Sequence, residues 1–288
     1  MPQKFGARDH TGNKLDKLED YLRVFTQVLK NQPFELVYFD AFAGTPEIDV
    51  GENSTRGFFV DDVQPLLKGS SERAVKFGAK FGRYIFVDSR RRNVCELEAL
   101  KGSHPEIADR IEIRRADANN ELLRFCAIWP KMQRAVVFLD PFGNQVAWET
   151  IEAIAATEAI DLWYLFPAGL GVHRQLGNKD AEASLDRLFG TTEWRTAFYE
   201  KRTEQDLFQQ KIEEVPVATP ESITKFTITR MKTIFQGGVL DEWLPLGSNG
   251  RHSYSLIFAC ANPNPKANQL ARRLAKAVLK SRDNGRVK

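Results

Sequence analysis

Four aspartates are the residues in this sequence whose type and placement could do chemistry. Asp40 closes the apolar run Leu36-Val37-Tyr38-Phe39, and Asp88 closes Tyr84-Ile85-Phe86-Val87. Asp117 follows Ile111-Glu112-Ile113, and Asp140 closes Val136-Val137-Phe138-Leu139. One acid ending a strand is commonplace. Four of them, in chain order, would line one crevice of a parallel sheet, the edge at which open α/β folds bind ligands. Each station has a task in holding a nucleoside-containing cofactor. An acid ending a second strand accepts hydrogen bonds from ribose hydroxyls, which is the place of Asp88. Asp117, followed by Ala118, stands where an acid can accept from an adenine amino group. After the first strand come Asp40, Ala41, Phe42, Ala43 and Gly44, whose small members would admit a cofactor beside the backbone. A helix N-terminus beyond them would favour a carboxylate. Asp140 would lie nearest the reacting centre.

The elements that must position these acids can be read from periodicity. Short apolar runs bounded by turn chemistry suit strands buried on both faces. They occur at 36–39, 84–88, 111–113, 134–139 and 159–166. Helical patterns alternate with them: Lys14 to Lys30, with Leu15, Leu18, Leu22, Phe25 and Leu29 on one face, then Glu72 to Lys80, Asn93 to Leu100, Glu121 to Ile128 and Thr150 to Ala156. Five strands alternating with helices predict an α/β fold with a doubly wound, mostly parallel, Rossmann-like sheet. Residues 167–250 read as a mainly helical insertion before the last strands, with helices expected at 181–188, 193–200, 204–214 and 222–235. A strand at 253–259 and a helix at 266–280 return to the sheet. The expected organisation is therefore a cofactor-binding domain of residues 1–166 and 251–288 interrupted by 167–250. The first fourteen residues read as a flexible lead or a lid, and 45–69 as an irregular loop.

Composition narrows the class. The 288 residues are 42% hydrophobic and 27% charged, as in ordinary globular chains. No run approaches a membrane span, and the start has no apolar signal segment. Cys95, Cys126 and Cys260 are scattered, so neither a disulfide framework nor a metal spacing is expected, and a reducing cytoplasm suits them. No two histidines have metal-ligand spacing. The net charge of +3 is uneven: from Pro263 onward eight basic residues face only Asp283, a tail of +7 on a body of −4. Such a tail could meet nucleic-acid phosphates or be the solvated face of a terminal helix.

The four-station pattern resembles class I S-adenosylmethionine-dependent methyltransferases. Phe39-Asp40-Ala41-Phe42-Ala43-Gly44 is similar to their first motif, and Asp140-Pro141-Phe142-Gly143 to the (D/N)PP(Y/F) motif of amino methyltransferases. More closely, the chain resembles the three-Cys-motif partner protein family (TcmP) over nearly its whole length. The runs carrying this are YFDAFAG (38–44), YIFVD (84–88), VVFLDPFGNQVAWETIEAIA (136–155), AIDLWYLFPAGLGVHR (159–174), LDRLFGTTEW (185–194) and HSYSLIFACANP (252–263). The resemblance implies S-adenosylmethionine as cofactor and a partner with a three-cysteine motif, an iron–sulfur, radical-type protein; the cluster would then not lie on this chain. It assigns Asp140, Pro141 and Phe142 to catalysis. It places Asp40 to Gly44, Asp88, Asp117 and Ala118 at the cofactor. Gly143, Trp148, His173 and Arg174 are expected at the substrate. Two departures stand out: Gly44 is followed by Thr45-Pro46-Glu47 rather than a GxG turn, and the stretch from Asp40 to Asp88 exceeds the usual spacing between a nucleotide-binding turn and its ribose acid. They keep open a second reading, a methyltransferase fold serving as a scaffold, and a third is a nucleic-acid-processing protein docked through the basic tail. His10 could reach the crevice or be solvated, and His252 is expected to cap or pack near the last strand.

Overall fold

The computed structural model describes residues 9–44, 69–76, 81–205, 210–247 and 251–280. Its centre is one seven-stranded sheet. The strands are β1 (Glu35–Asp40), β2 (Arg83–Asp88), β3 (Ile111–Arg115), β4 (Gln133–Leu139), β5 (Ile160–Phe166), β8 (Leu244–Leu246) and β9 (Tyr254–Cys260), in the order β3-β2-β1-β4-β5-β9-β8. The first five pair in parallel, and β9 runs antiparallel to both β5 and β8. The expected doubly wound, mostly parallel sheet is the one observed. Its order reverses between β1 and β4, so a crevice opens outside their carboxyl ends.

Alternation along each strand splits the core into two layers. Val37, Phe39, Val137, Leu139, Leu162 and Ile257 face one side, covered by α4 (Ala118–Ala127), α5 (Trp148–Ala156), α6 (Glu182–Phe189), α7 (Glu193–Phe198) and α8 (Pro220–Lys232). Leu36, Tyr38, Phe86, Phe138, Trp163 and Phe258 face the other, under α1 (Asp9–Leu29), α2 (Ser70–Lys76), α3 (Arg91–Gly102) and α9 (Pro265–Lys280). On that side the Tyr21 ring of α1 sits 5.1 Å from Trp163 and 5.3 Å from Phe258, and its hydroxyl donates to Asp161 Oδ2 at 2.6 Å. Burial raises the Asp161 carboxyl to about 6, against the pull of the Tyr21 and Cys260 donors and Arg134.

Several expectations change. The helix expected at 204–214 is absent: β6 (Tyr199–Gln205) and β7 (Gln210–Pro216) form an antiparallel hairpin. Helix-favouring composition is outweighed there by cross-strand pairing, with Lys201 opposite Glu214 and Arg202 opposite Glu213. The helix expected at 193–200 ends at Phe198 for the same reason. α1 begins at Asp9, so residues 9–14 are helical rather than a lead, and His10 lies within the helix; one glycine, Gly12, costs a helix only about 1 kcal/mol. α4 starts at Ala118, three residues early, because the Asp117 carboxylate caps it by accepting from Asn120 N–H at 3.0 Å. β8, within 167–250, was not expected and joins the central sheet. Residues 45–68, expected as a loop, residues 77–80 and those beyond Lys280 lie outside the described residues.

Candidate functional site

The end of β1 is laced into its neighbours. Ala41 N–H donates to the Phe138 carbonyl at 3.2 Å and Ala43 N–H to the Val87 carbonyl at 2.9 Å, which pins the turn after Asp40 to both neighbouring strands. Gly44 then turns with φ +60°, a conformation glycine adopts without strain, and its N–H donates to Asp88 Oδ2 at 3.2 Å. Asp88 also accepts from Arg90 N–H at 2.7 Å and Asn93 Nδ2 at 2.8 Å. Three donors leave this half-buried carboxylate about one lone-pair site for a ligand. Asp117 is exposed, with one oxygen committed to the α4 cap, and Ala118 is buried behind it.

Asp40 is fully buried. Its Oδ2 accepts from Ser70 Oγ at 2.6 Å and its Oδ1 from Phe42 N–H at 3.3 Å, yet burial still pushes the carboxyl up to about 6, with the charge of Asp88 adding to the effect. Asp140 is half-buried and receives no hydrogen bond or ion pair among the described residues. Burial holds its carboxyl well above the usual range, and the charge of Asp40 raises it further. Two phenols close the floor. Tyr38 is wholly buried; burial and the charges of Asp40 and Asp140 hold its phenol well above the usual range, and its hydroxyl makes no close hydrogen bond among the described residues. Tyr254, at the start of β9, is pushed up to about 12 by burial and then by Asp140.

The turn after β4 is held from two sides. Asn119 of α4 donates to the Gln145 carbonyl at 2.9 Å, and its Oδ1 accepts from Ala147 N–H and Thr150 Oγ1, each at 2.9 Å. Asn144 is buried and donates to Gln175 Oε1 at 2.7 Å, joining this turn to the segment after β5. Between these staples Pro141 is buried, Phe142 is 52% exposed, and Gly143 takes φ +73°. His173 and Arg174 are exposed just beyond the turn Ala168–Val172. That turn is fixed by Gly169 and Leu170 N–H donating to the Ser253 carbonyl, with no room for a side chain at Gly169.

The structure thus gathers Asp40 to Gly44, Asp88, Asp117, Asp140 to Gly143 and the His173–Arg174 pair along one edge. Trp148 is placed elsewhere. It is buried, its indole N–H donates to Glu152 at 2.7 Å, Arg230 lies 4.7 Å over its ring, and Gly190 abuts it, so it supports the α5–α6–α8 wall. His252 packs as expected, its Nε2 2.7 Å from Ser255 Oγ. Sequence reading missed Tyr38, Ser70, Asn119, Asn144 and Tyr254. Tyr38 was recoverable, since it lies two residues before Asp40 and shares its face. Among the described residues no His, Cys, Asp and Glu group could hold a metal, and no helix is long and apolar enough to cross a membrane.

Strand order, the antiparallel β9 and the row of acids decide the architecture. The fold is a Rossmann-like methyltransferase fold. No family model matches the chain, and no curated protein matches it. Among solved structures, a Legionella pneumophila protein of the DUF519 family superposes with a TM-score of 0.48 over 94% of each chain at 15% identity. Magnesium protoporphyrin IX methyltransferase from Synechocystis, with bound SAM, gives 0.35 over 74% of this chain and 83% of its own at 12% identity. A tRNA (m1A58) methyltransferase from Aquifex aeolicus gives 0.31 over 84% and 67% at 10%. These likenesses are too remote to carry function.

Proposed function

We propose that the chain is a class I S-adenosylmethionine-dependent methyltransferase of the three-Cys-motif partner type. One observation carries the methyl-transfer reading: Asp140 follows the buried strand β4 beside the reversal of strand order, with no partner among the described residues. Withdrawing a carboxylate from water costs several kcal/mol unless something completes it. An acceptor substrate with an N–H or O–H would do so.

The residues present fit the cofactor. Ala41, Ala43 and Gly44 leave the backbone open, Asp88 retains capacity for ribose hydroxyls, and Asp117 keeps one oxygen for an adenine amino group. When bound, S-adenosylmethionine supplies an electrophilic methyl group, which needs an aligned nucleophile more than covalent help. Asp140 would orient that nucleophile and take its proton, a task suited to a carboxyl held above its usual range. The Pro141 carbonyl would orient a donor, exposed Phe142 would form an apolar wall, and Gly143 keeps the entrance free of a side chain. His173 and Arg174 would meet an anionic part of the substrate.

The partner reading is supported by the long run from Phe138 to Arg174, and with Cys95, Cys126 and Cys260 free and differently placed any cluster would belong to the partner. A nucleic-acid contact through α9 would draw on Lys266 and Arg273, because Lys276 and Lys280 face Glu242. Its test is the salt slope of binding. A scaffold role is favoured by the three donors already on Asp88. Turnover decides: at saturating cofactor Asp140→Asn should lower kcat by about 10²–10⁴, the span of a general base. Near-normal turnover removes Asp140 as proton acceptor, and a wild type that binds no S-adenosylmethionine in calorimetry leaves the scaffold.

A further inference from the structure

The carboxyl end of the sheet holds two acids without a counter-ion among the described residues. Asp40 is fully buried and its donors are neutral, the Ser70 hydroxyl and the Phe42 N–H. Asp140 has no donor among the described residues. No lysine, arginine or histidine among the described residues pairs with either. The groups facing them are Tyr38 of β1, Ser70 of α2, Asp88 of β2 and Tyr254 of β9, which add a third acid and no positive charge. The Tyr38 hydroxyl is wholly buried, feels the charges of both carboxyls and makes no close hydrogen bond among the described residues, which leaves it a donor to offer an occupant. The pair also flanks the reversal of strand order, where such sheets take ligands.

Resting on the methyltransferase reading, we infer that Asp40 and Asp140 form a cation seat that makes this crevice prefer the sulfonium cofactor to the neutral thioether left after transfer. In that transfer the S–CH3 bond breaks and the acceptor gains the methyl group. The sulfur keeps the bonding pair and loses its charge. The acceptor's proton passes to Asp140, so the seat then faces a neutral sulfur with one of its carboxylates neutralised, and the product is released. The same geometry predicts proton linkage. Burial holds both carboxyls above their ordinary range, with the charge of Asp88 adding at Asp40 and that of Asp40 at Asp140, so the empty pair retains proton that an arriving cation displaces.

The test is calorimetry on the full chain at pH 7, in two buffers of different ionisation enthalpy. The ligands are S-adenosylmethionine, S-adenosylhomocysteine and sinefungin, which carries an amine in place of the methylsulfonium. The two cationic ligands should bind at least about tenfold tighter than the thioether and release protons that the thioether does not. Asp140→Asn should bring S-adenosylmethionine to within about twofold of the thioether, whose own affinity stays unchanged. Should that variant fail to fold, the three wild-type titrations still decide. Equal or tighter thioether binding overturns the cation seat and leaves the methyltransferase reading standing. Failure of all three ligands to bind overturns both.

Discussion

Replacing Asp161 by asparagine should stabilise the protein at neutral pH and make little difference in acid. Asp161 is buried on β5, takes the Tyr21 hydroxyl, and has its carboxyl raised from 3.8 to about 6, chiefly by burial. The folded state therefore holds this proton more tightly than the unfolded chain. Between the two values the unfolded chain carries fewer protons, so stability falls as pH rises through about 4 to 6. The gap of about two pKa units corresponds to about 3 kcal/mol lost once both states are ionised. Asparagine keeps a carbonyl oxygen for Tyr21 and removes the charge, but its NH2 group must be accommodated, at up to about 1 kcal/mol. The net expectation is about 2 kcal/mol of added stability at pH 7.5 and about none at pH 4.5. Urea unfolding at both pH values, followed by tryptophan fluorescence, reads this directly. A variant destabilised equally at both would mean that Asp161 is ionised and well satisfied in the fold, which refutes the argument.

Three further outcomes follow from the geometry. Asp88→Ala should weaken S-adenosylmethionine binding by about 1.5–3 kcal/mol, the range for hydrogen bonds to a charged group; unchanged affinity in a folded variant removes the ribose assignment. Gly190→Ala should lower stability by about 1–3 kcal/mol, because Gly190 sits at φ +61° and an added Cβ would come within 2.2 Å of Trp148 Cδ1. An unshifted melting temperature would show that the α5–α6 contact yields easily. Phe142→Ala should leave stability within about 0.5 kcal/mol, as for other surface changes, while raising KM for the methyl acceptor. A KM equal to wild type would take Phe142 out of the substrate wall.

Much of the sheet was legible because β1, β2, β4 and β5 are short apolar runs, each followed by turn chemistry, and buried strands have few other ways to read. The acids at their ends were legible for the same reason, since position on a strand fixes the sheet edge reached. The hairpin at 199–216 was not, because its stability lies in cross-strand pairs such as Arg202 opposite Glu213, and its charged sequence lacks the apolar alternation that marks a strand. Tyr254 reaches Asp140 across more than a hundred residues of chain, and only β9 entering the sheet beside β5 brings it there. Trp148 misled by proximity to Asp140. Eight residues on it heads a helix, and the first turn of α5 points its ring into the wall instead of the crevice.

The place of β9 in the sheet has a consequence for synthesis on the ribosome. β9 sits between β5 and β8, and roughly ninety residues separate it from the end of β5. At translation rates of about 5–20 residues per second, the β5 flank stays unpaired for on the order of 5–20 s. That flank is Ile160–Phe166, buried along its whole length in the finished fold and among the most apolar segments of the chain. An open, apolar strand edge is a template for self-association. Until the last strand emerges, the nascent chain therefore depends on chaperones or on early packing of α6 to α8 over β5, and a truncation before Tyr254 should yield inclusion bodies rather than a smaller folded protein.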